Sequence, residues 1–156
     1  MENEELNLEK KVTIRSIAPW PTGFKRFDAI GEVMIPSNGT VRLSRNEIIS
    51  QIQNGNTLLN GIDSRGSHAT LIIEDQPTRV EVDFESEDGK VKQKVLTEDI
   101  VTKLFSYKTT KSFKDNLEKF VVTRAEKFAL IDMIKKLKFN DFEKIRIVEN
   151  YTGLKI

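Results

Sequence analysis

His68 is the only histidine in the chain and there is no cysteine. Any nucleophilic or metal chemistry would therefore be built from one imidazole with hydroxyls and carboxylates, and Asp63, Ser64 and Ser67 lie just upstream of it. A serine nucleophile needs its base and orienting acid to converge in space. Neighbouring side chains on an extended segment point to opposite sides instead. The pattern reads as a histidine whose ring hydrogen-bonds the loop before it, and no catalytic residue is assigned. Without cysteine there are no disulfides, thiolate zinc sites, iron–sulfur clusters or thiol nucleophiles. One imidazole among scattered carboxylates has no metal-ligand spacing, so neither a metal nor a cofactor is expected.

Three other constellations carry binding chemistry. Gly55, Gly61 and Gly66 flank an Asn/Ser/Arg loop, and glycine-rich loops with an arginine can cradle phosphate. The spacing fits neither the P-loop nor the dinucleotide fingerprint, so turn geometry accounts for the glycines, and Arg65 and His68 are left as partner-binding candidates on an exposed loop. Trp20, the single tryptophan, sits in Pro19-Trp20-Pro21 with Phe24, Phe27, Lys25 and Arg26 close behind. Aromatics mixed with cations stack on bases or anchor a protein partner; the competing reading folds Trp20 over an open end of the sheet. Lys135, Lys136 and Lys138, with Lys144 and Arg146, fall on two consecutive helical segments. They form a nucleic-acid-binding candidate, because neutralising phosphates dominates such affinity, although interspersed acids also fit an ordinary solvated helix face. Glu81, Asp83 and Glu85 alternate along one segment and read as the wet face of a strand rather than as paired catalytic acids, which need facing walls.

The elements that must position these residues follow from periodicity. Residues 1–11 are a charged tail without pattern. Val12 and Ile14 alternate as a strand, and 18–24 form a rigid Pro-Trp-Pro loop. Ala29–Pro36 carries Ile30, Val33 and Ile35 as a second strand, with a short continuation at Val41–Leu43. Ser44-Arg45-Asn46-Glu47 reads as a capping box opening a helix of about ten residues that stops at Asn54-Gly55. Thr57–Asn60 reads as a short strand. Ala69–Ile73, apolar on both faces, reads as a central strand. Arg79–Glu85 reads as an amphipathic strand, joined through Glu87-Asp88-Gly89-Lys90 to a partner at Val91–Leu96. From Thr97 the period becomes 3.6: helices open at Thr97, Ser112, Thr123 and the box Asn140–Glu143, and Gly153 ends the last.

The expected fold class is α+β: an N-terminal, mostly antiparallel sheet with one short helix, then a C-terminal cap of about four helices. Residues 12–96 form the β-rich lobe and 97–156 the helical lobe, packed as one compact unit. With 156 residues, 38% hydrophobic and 31% charged, a single core suffices without staples. No stretch approaches the roughly 18 apolar residues of a membrane span, and the N-terminus has no signal-like apolar region, so a non-membrane protein, cytoplasmic when made, is expected. Residues 1–100 hold 12 Lys/Arg against 17 Asp/Glu, a net −5, and residues 101–156 hold 13 against 7, a net +6. Opposite-signed halves pack on each other, order copies head to tail, or offer a basic face to an acidic partner.

Taken whole, rather than through any one motif, the chain resembles small uncharacterised proteins of tailed phages and mobile elements of Gram-positive bacteria. The resemblance implies a non-enzymatic structural or interaction protein, such as a virion or assembly-associated component, and carries over no residue roles. An inhibitor of a host defence enzyme and a nucleic-acid-binding accessory protein are the alternatives. A protein partner, either virion proteins or a host enzyme, is expected, homo-oligomerisation is compatible, and the virion is a second location.

Overall fold

The computed structural model describes residues 6–156, which fall into two compact units divided between Gln93 and Lys94. The class is α+β. In the first unit, β1 (Lys11–Ser16) is the middle strand of a three-stranded antiparallel sheet, between β4 (Thr40–Ser44) and β5 (Leu71–Ile73). Ile14 faces Val41 on one side and Ile73 on the other. β2 (Thr22–Lys25) and β3 (Glu32–Ile35) form a separate antiparallel ribbon in which Thr22 pairs with Ile35 and Lys25 with Glu32. Val12, Ile14, Val33, Ile35, Leu43, Ile48, Leu71, Ile73 and Phe84 make one core, each full burial contributing about 1.5–3 kcal/mol.

Two expected strands are helices. Thr57–Asn60 is α2, because the Asn56 side chain accepts the Leu58 amide and starts a turn there; it follows α1 (Arg45–Gln53). Arg79–Glu85 does not form a strand either: Gln76–Glu81 is α3, capped by Asp75 with a proline in its first turn. The helix closes with Asp83 left-handed at φ 64°, the Asp83 amide on the Val80 carbonyl and the Phe84 amide on the Arg79 carbonyl, a Schellman closure that buries Phe84. The alternation of Val80, Val82 and Phe84 thus comes from a short helix and its cap. The expected partner strand at 91–96 reduces to one bridge, Glu85 to Lys92. Glu85 is buried and holds Arg79 at 3.4 Å, so it is not part of a wet face.

β5 is an edge strand rather than a central one, since β1 has strands on both sides. Its three residues are all buried because α2 and α3 pack against it. The Arg79 guanidinium donates to the Ile73 carbonyl at 2.7 Å, occupying an acceptor on an edge that a foreign strand could otherwise use.

Of the expected 1–11 tail, residues 1–5 lie outside the described residues, and the remainder is tied down. The Arg45 and Asn46 amides donate to the Lys10 and Leu8 carbonyls, and the Arg45 guanidinium reaches the Asn7 carbonyl. Arg45 is itself buried, paired with Asp75 at 2.9 Å and with the Thr78 hydroxyl.

The second unit, from Lys94, is helical: α4 (Glu98–Ser106), α5 (Thr110–Phe120), α6 (Arg124–Leu137) and α7 (Phe142–Thr152). Thr97 caps α4 as expected, and the Thr123–Glu126 box on α6 is reciprocal. α5 opens earlier than expected, at Thr109, whose hydroxyl accepts the Ser112 amide; α7 is capped by Asp141 and ends at left-handed Gly153. α6 packs chiefly on α4, α4 on α5, and α5 on α7. Phe105 stacks on Phe139 and meets Phe113 edge to face.

Candidate partner-docking surface

The β2–β3 ribbon splits its residues by strand parity. Thr22, Phe24, Val33 and Ile35 turn to the core, while Gly23, Lys25, Glu32 and Met34 face outward. Met34 lies over Gly23, where a Cβ would come within 2.6 Å of its sulfur. Between the strands the chain turns through Arg26–Gly31, where Phe27 is 54% exposed and Ile30 104%, and on β3 Met34 is 61% exposed. Isolated exposed apolar residues are ordinary, but here three fall on one ribbon and its connecting turn.

That element is held rigidly. Ser44 caps α1 by accepting the Glu47 amide at 3.1 Å, as a capping box requires. The Glu47 carboxylate does not reach back to complete the box. It is fully buried and accepts the Phe27 amide at 2.9 and 3.1 Å and the Asp28 amide at 3.2 Å. The Ser44 hydroxyl donates to Asp28, and the Gln51 amide donates to the Lys25 carbonyl at 2.7 Å. The first two turns of α1 and its cap therefore hold the Lys25–Asp28 side of the turn, which the Arg26 amide closes onto the Gly31 carbonyl, a preorganised presentation that lowers the entropy lost on docking.

The candidates that the sequence suggests are distributed unevenly around this arm, and only some lie on it. Lys25 is exposed on β2; Arg26 is half-buried and 3.5 Å from Asp28. Phe24 packs against the core, so it is not a free anchor. Trp20 is half-buried in the bend before β2. Arg65 and His68 belong to the Gly61–His68 loop. Its Asp63 carboxylate accepts the Arg65 and Ser67 amides at 2.8 and 3.1 Å. Burial opposes the Asp63 charge, but these amides and the Ser67 hydroxyl outweigh it and hold the carboxyl below its ordinary pKa. Asp63, the acid nearest His68 in sequence, is thus engaged by its own loop, and His68 is buried with a left-handed backbone. Gly61 is required there: at φ 68° and ψ −155° only glycine is at ease, and a Cβ would overlap the Ser67 carbonyl. Arg65 is exposed beside Asp83 and Glu85 in an open cleft of about 270 Å³.

The mix of aromatics and cations in the sequence includes Phe27, but nothing in that mix marks Ile30 or Met34 as a surface anchor. Ile30, expected in the second strand, lies in the turn before it, since β3 starts only at Glu32. The signal that could have found it is parity: Ile30 is out of step with Val33 and Ile35, so one strand cannot bury all three.

Two of the five basic candidates in the second unit, Lys144 and Lys136, are engaged by other residues. The Lys144 ammonium donates to the Phe105 carbonyl at 2.6 Å and lies 5.7 Å from the Phe113 ring centre, so it is an internal brace. Lys136 pairs with Glu98. Lys138 ends α6 in a left-handed conformation at φ 58°. Lys135, Lys138 and Arg146 are exposed. Because the main partner of α6 is α4 and that of α7 is α5, the two helices are not packed principally on each other as in a helix-turn-helix reader. Between α5 and α7 lies a cleft of about 260 Å³ lined by Leu117, Ile147 and Tyr151, with Lys114, Glu118 and Asn150 at its polar positions. The Tyr151 hydroxyl donates to the Val121 carbonyl at 2.6 Å. Burial, then the Glu118 and Glu126 charges, push its pKa up, which keeps it a donor.

Among the described residues no group of three or more His, Asp or Glu side chains is placed to hold a metal, and no helix is long and apolar enough to cross a membrane. No protein-family model, curated protein or solved structure matches the chain.

Proposed function

We propose that this chain is a non-enzymatic structural or interaction protein that docks onto a protein partner through the β2–β3 arm, as a component of a phage-type virion or of its assembly. The observation that carries the reading is the arm itself: Phe27 and Ile30 displayed to solvent on a turn held by Glu47 and Gln51, with Met34 exposed on the adjoining β3. Holding apolar side chains rigidly in water stabilises nothing in the free chain, whereas a partner's pocket gains most from an apolar anchor that is already rigid. The same arm would serve an inhibitor that binds one host enzyme, and stoichiometry separates the two.

The test is quantitative mass spectrometry of particles purified from cells that make the protein. A fixed copy number per particle, lost in an Ile30→Asp variant that still accumulates folded, is the expected result. Co-purification with one enzyme at fixed ratio would make it an inhibitor, and retention of every partner by Ile30→Asp would sink the arm as the docking element.

A second reading, nucleic-acid binding, is supported by the second unit's excess of 14 Lys/Arg over 9 Asp/Glu. It predicts binding that weakens steeply with salt and is reduced by neutralising Lys135, Lys138 and Arg146 together.

A further inference from the structure

We infer that the corner where α4 meets α5 binds single-stranded nucleic acid, its lysines meeting phosphates while a base stacks on Phe142. The inference rests on the nucleic-acid reading above and gives it a site, which shares Arg146 but is centred elsewhere. Between Ile100 and Lys114 the chain holds Lys103, Lys108, Lys111 and Lys114 and no acidic residue. All four are exposed. Lys103 lies in the last turn of α4 and Lys108 in the connection, while Lys111 and Lys114 stand three apart at the start of α5, a spacing that puts them on one helix face. Among the described residues none of these four ammonium groups takes part in an ion pair or a cation–ring contact, so each is available to an outside anion.

Phe142 supplies the ring. It is 82% exposed at the first residue of α7, and α7 is fastened to this corner: the Thr110 hydroxyl donates to Glu143 at 3.2 Å and the Lys144 ammonium to the Phe105 carbonyl at 2.6 Å. Thr110 precedes Lys111 and Glu143 follows Phe142, so the first of these bonds sets lysine and ring on adjoining helix starts. Arg146, exposed one turn beyond Phe142, shares its helix face. Counting Lys144 and Arg146, the corner holds six cations against three acids, Asp115, Asp141 and Glu143, a net +3. Two of those acids are already engaged, Glu143 by Thr110 and Asp141 by Lys144 at 3.7 Å.

The pairing of ring and cations selects the occupant. One exposed ring is ordinary, but a ring flanked by unpaired cations offers stacking and phosphate neutralisation together, as single-strand sites do. A duplex keeps its bases stacked on each other, with no face open to the ring, so the single strand is favoured.

The test is fluorescence anisotropy of the full chain with labelled oligothymidylate of about 12 nucleotides, within the range of single-strand sites. Binding should appear at about 0.05 M salt. Its logarithm should fall against log salt with a slope of about −3, as for four phosphates on a single strand. Phe142→Ala should weaken binding about fivefold or more, the loss of one stacked base, and leave the slope unchanged; Phe142→Leu replaces it if circular dichroism shows misfolding. Changing Lys108 and Lys111 together to Gln should roughly halve the slope. Wild-type affinity in the Phe142 variant, equal binding of a duplex, or equal competition by polyglutamate, which carries charge without bases, would overturn the inference. If neutralising Lys135 and Lys138 abolishes binding while the corner variants bind as wild type, nucleic-acid binding stands and this corner is not its site. No binding of oligothymidylate at all removes both.

Discussion

The buried carboxylate of Glu47 accepts the backbone amide of Phe27 through both of its oxygens, at 2.9 and 3.1 Å, across twenty residues of chain. A residue that local sequence assigns to a helix cap thus serves as the anchor of a distant turn, and the two ends of that relationship belong to different functions: Glu47 to the fold, Phe27 to the surface.

Glu47→Gln keeps the shape of the side chain but gives up the charge and one acceptor. The expected loss of stability is about 1–3 kcal/mol, the range for hydrogen bonds to a charged group, read from urea unfolding followed by the fluorescence of Trp20, the only tryptophan. Amide hydrogen exchange should speed up at Phe27 and Asp28 before it does so in β1. Unchanged exchange at those two amides would mean the arm is held by something else.

Burial disfavours the Asp75 charge, but the Thr78 hydroxyl and Arg45 guanidinium more than offset it and hold its pKa below the ordinary carboxylate value. A carboxyl depressed on folding binds its proton more weakly in the folded state, so its stabilising effect is complete at neutral pH. It is lost as pH falls below about 5 toward the folded pKa. The urea midpoint of the first unit should therefore drop with acid, and in Asp75→Asn it should start lower at pH 7 and fall less steeply. Parallel curves for the two proteins would show that Asp75 carries none of the pH dependence.

Asp83 and Lys138 both occupy left-handed positions that close a helix, at φ 64° and 58°. Non-glycine residues are strained by about 1 kcal/mol there. Asp83→Gly and Lys138→Gly should each raise stability by up to that amount in thermal or urea unfolding. A drop on Lys138→Gly would indicate that its side chain, and not its backbone, matters to the second unit.

Lys144→Met removes the donor to Phe105 and the cation near the Phe113 ring. A loss of about 1–3 kcal/mol is expected from circular-dichroism unfolding of the helices. Lys135→Ala and Arg146→Ala, at exposed positions, should stay within about 0.5 kcal/mol. If all three lysine and arginine changes cost alike, Lys144 is no brace.

Much of this protein is written locally. The caps at Ser44, Thr97, Thr123 and the stop at Gly153 stand where the sequence puts them, because a cap needs only a hydroxyl or a glycine within three or four residues of the groups it satisfies. The switch from period two to period 3.6 near Thr97 likewise marks the α+β class, since periodicity is a property of one segment and its own buried face.

What needed the tertiary structure were relations between segments. Asp75 is both the cap of α3 and the partner of Arg45, and that pairing makes a helix of residues whose alternation looks like a strand. β5 is apolar on both faces because α2 and α3 cover it, not because strands flank it. Above all, the sequence determined that Phe27, Ile30 and Met34 are apolar, while their exposure was decided by the fold: Met34 by the outward face of β3, Phe27 and its turn by Glu47 reaching across the chain. A hydrogen bond between residues twenty apart leaves no periodic trace in either segment, so only the folded chain contains it.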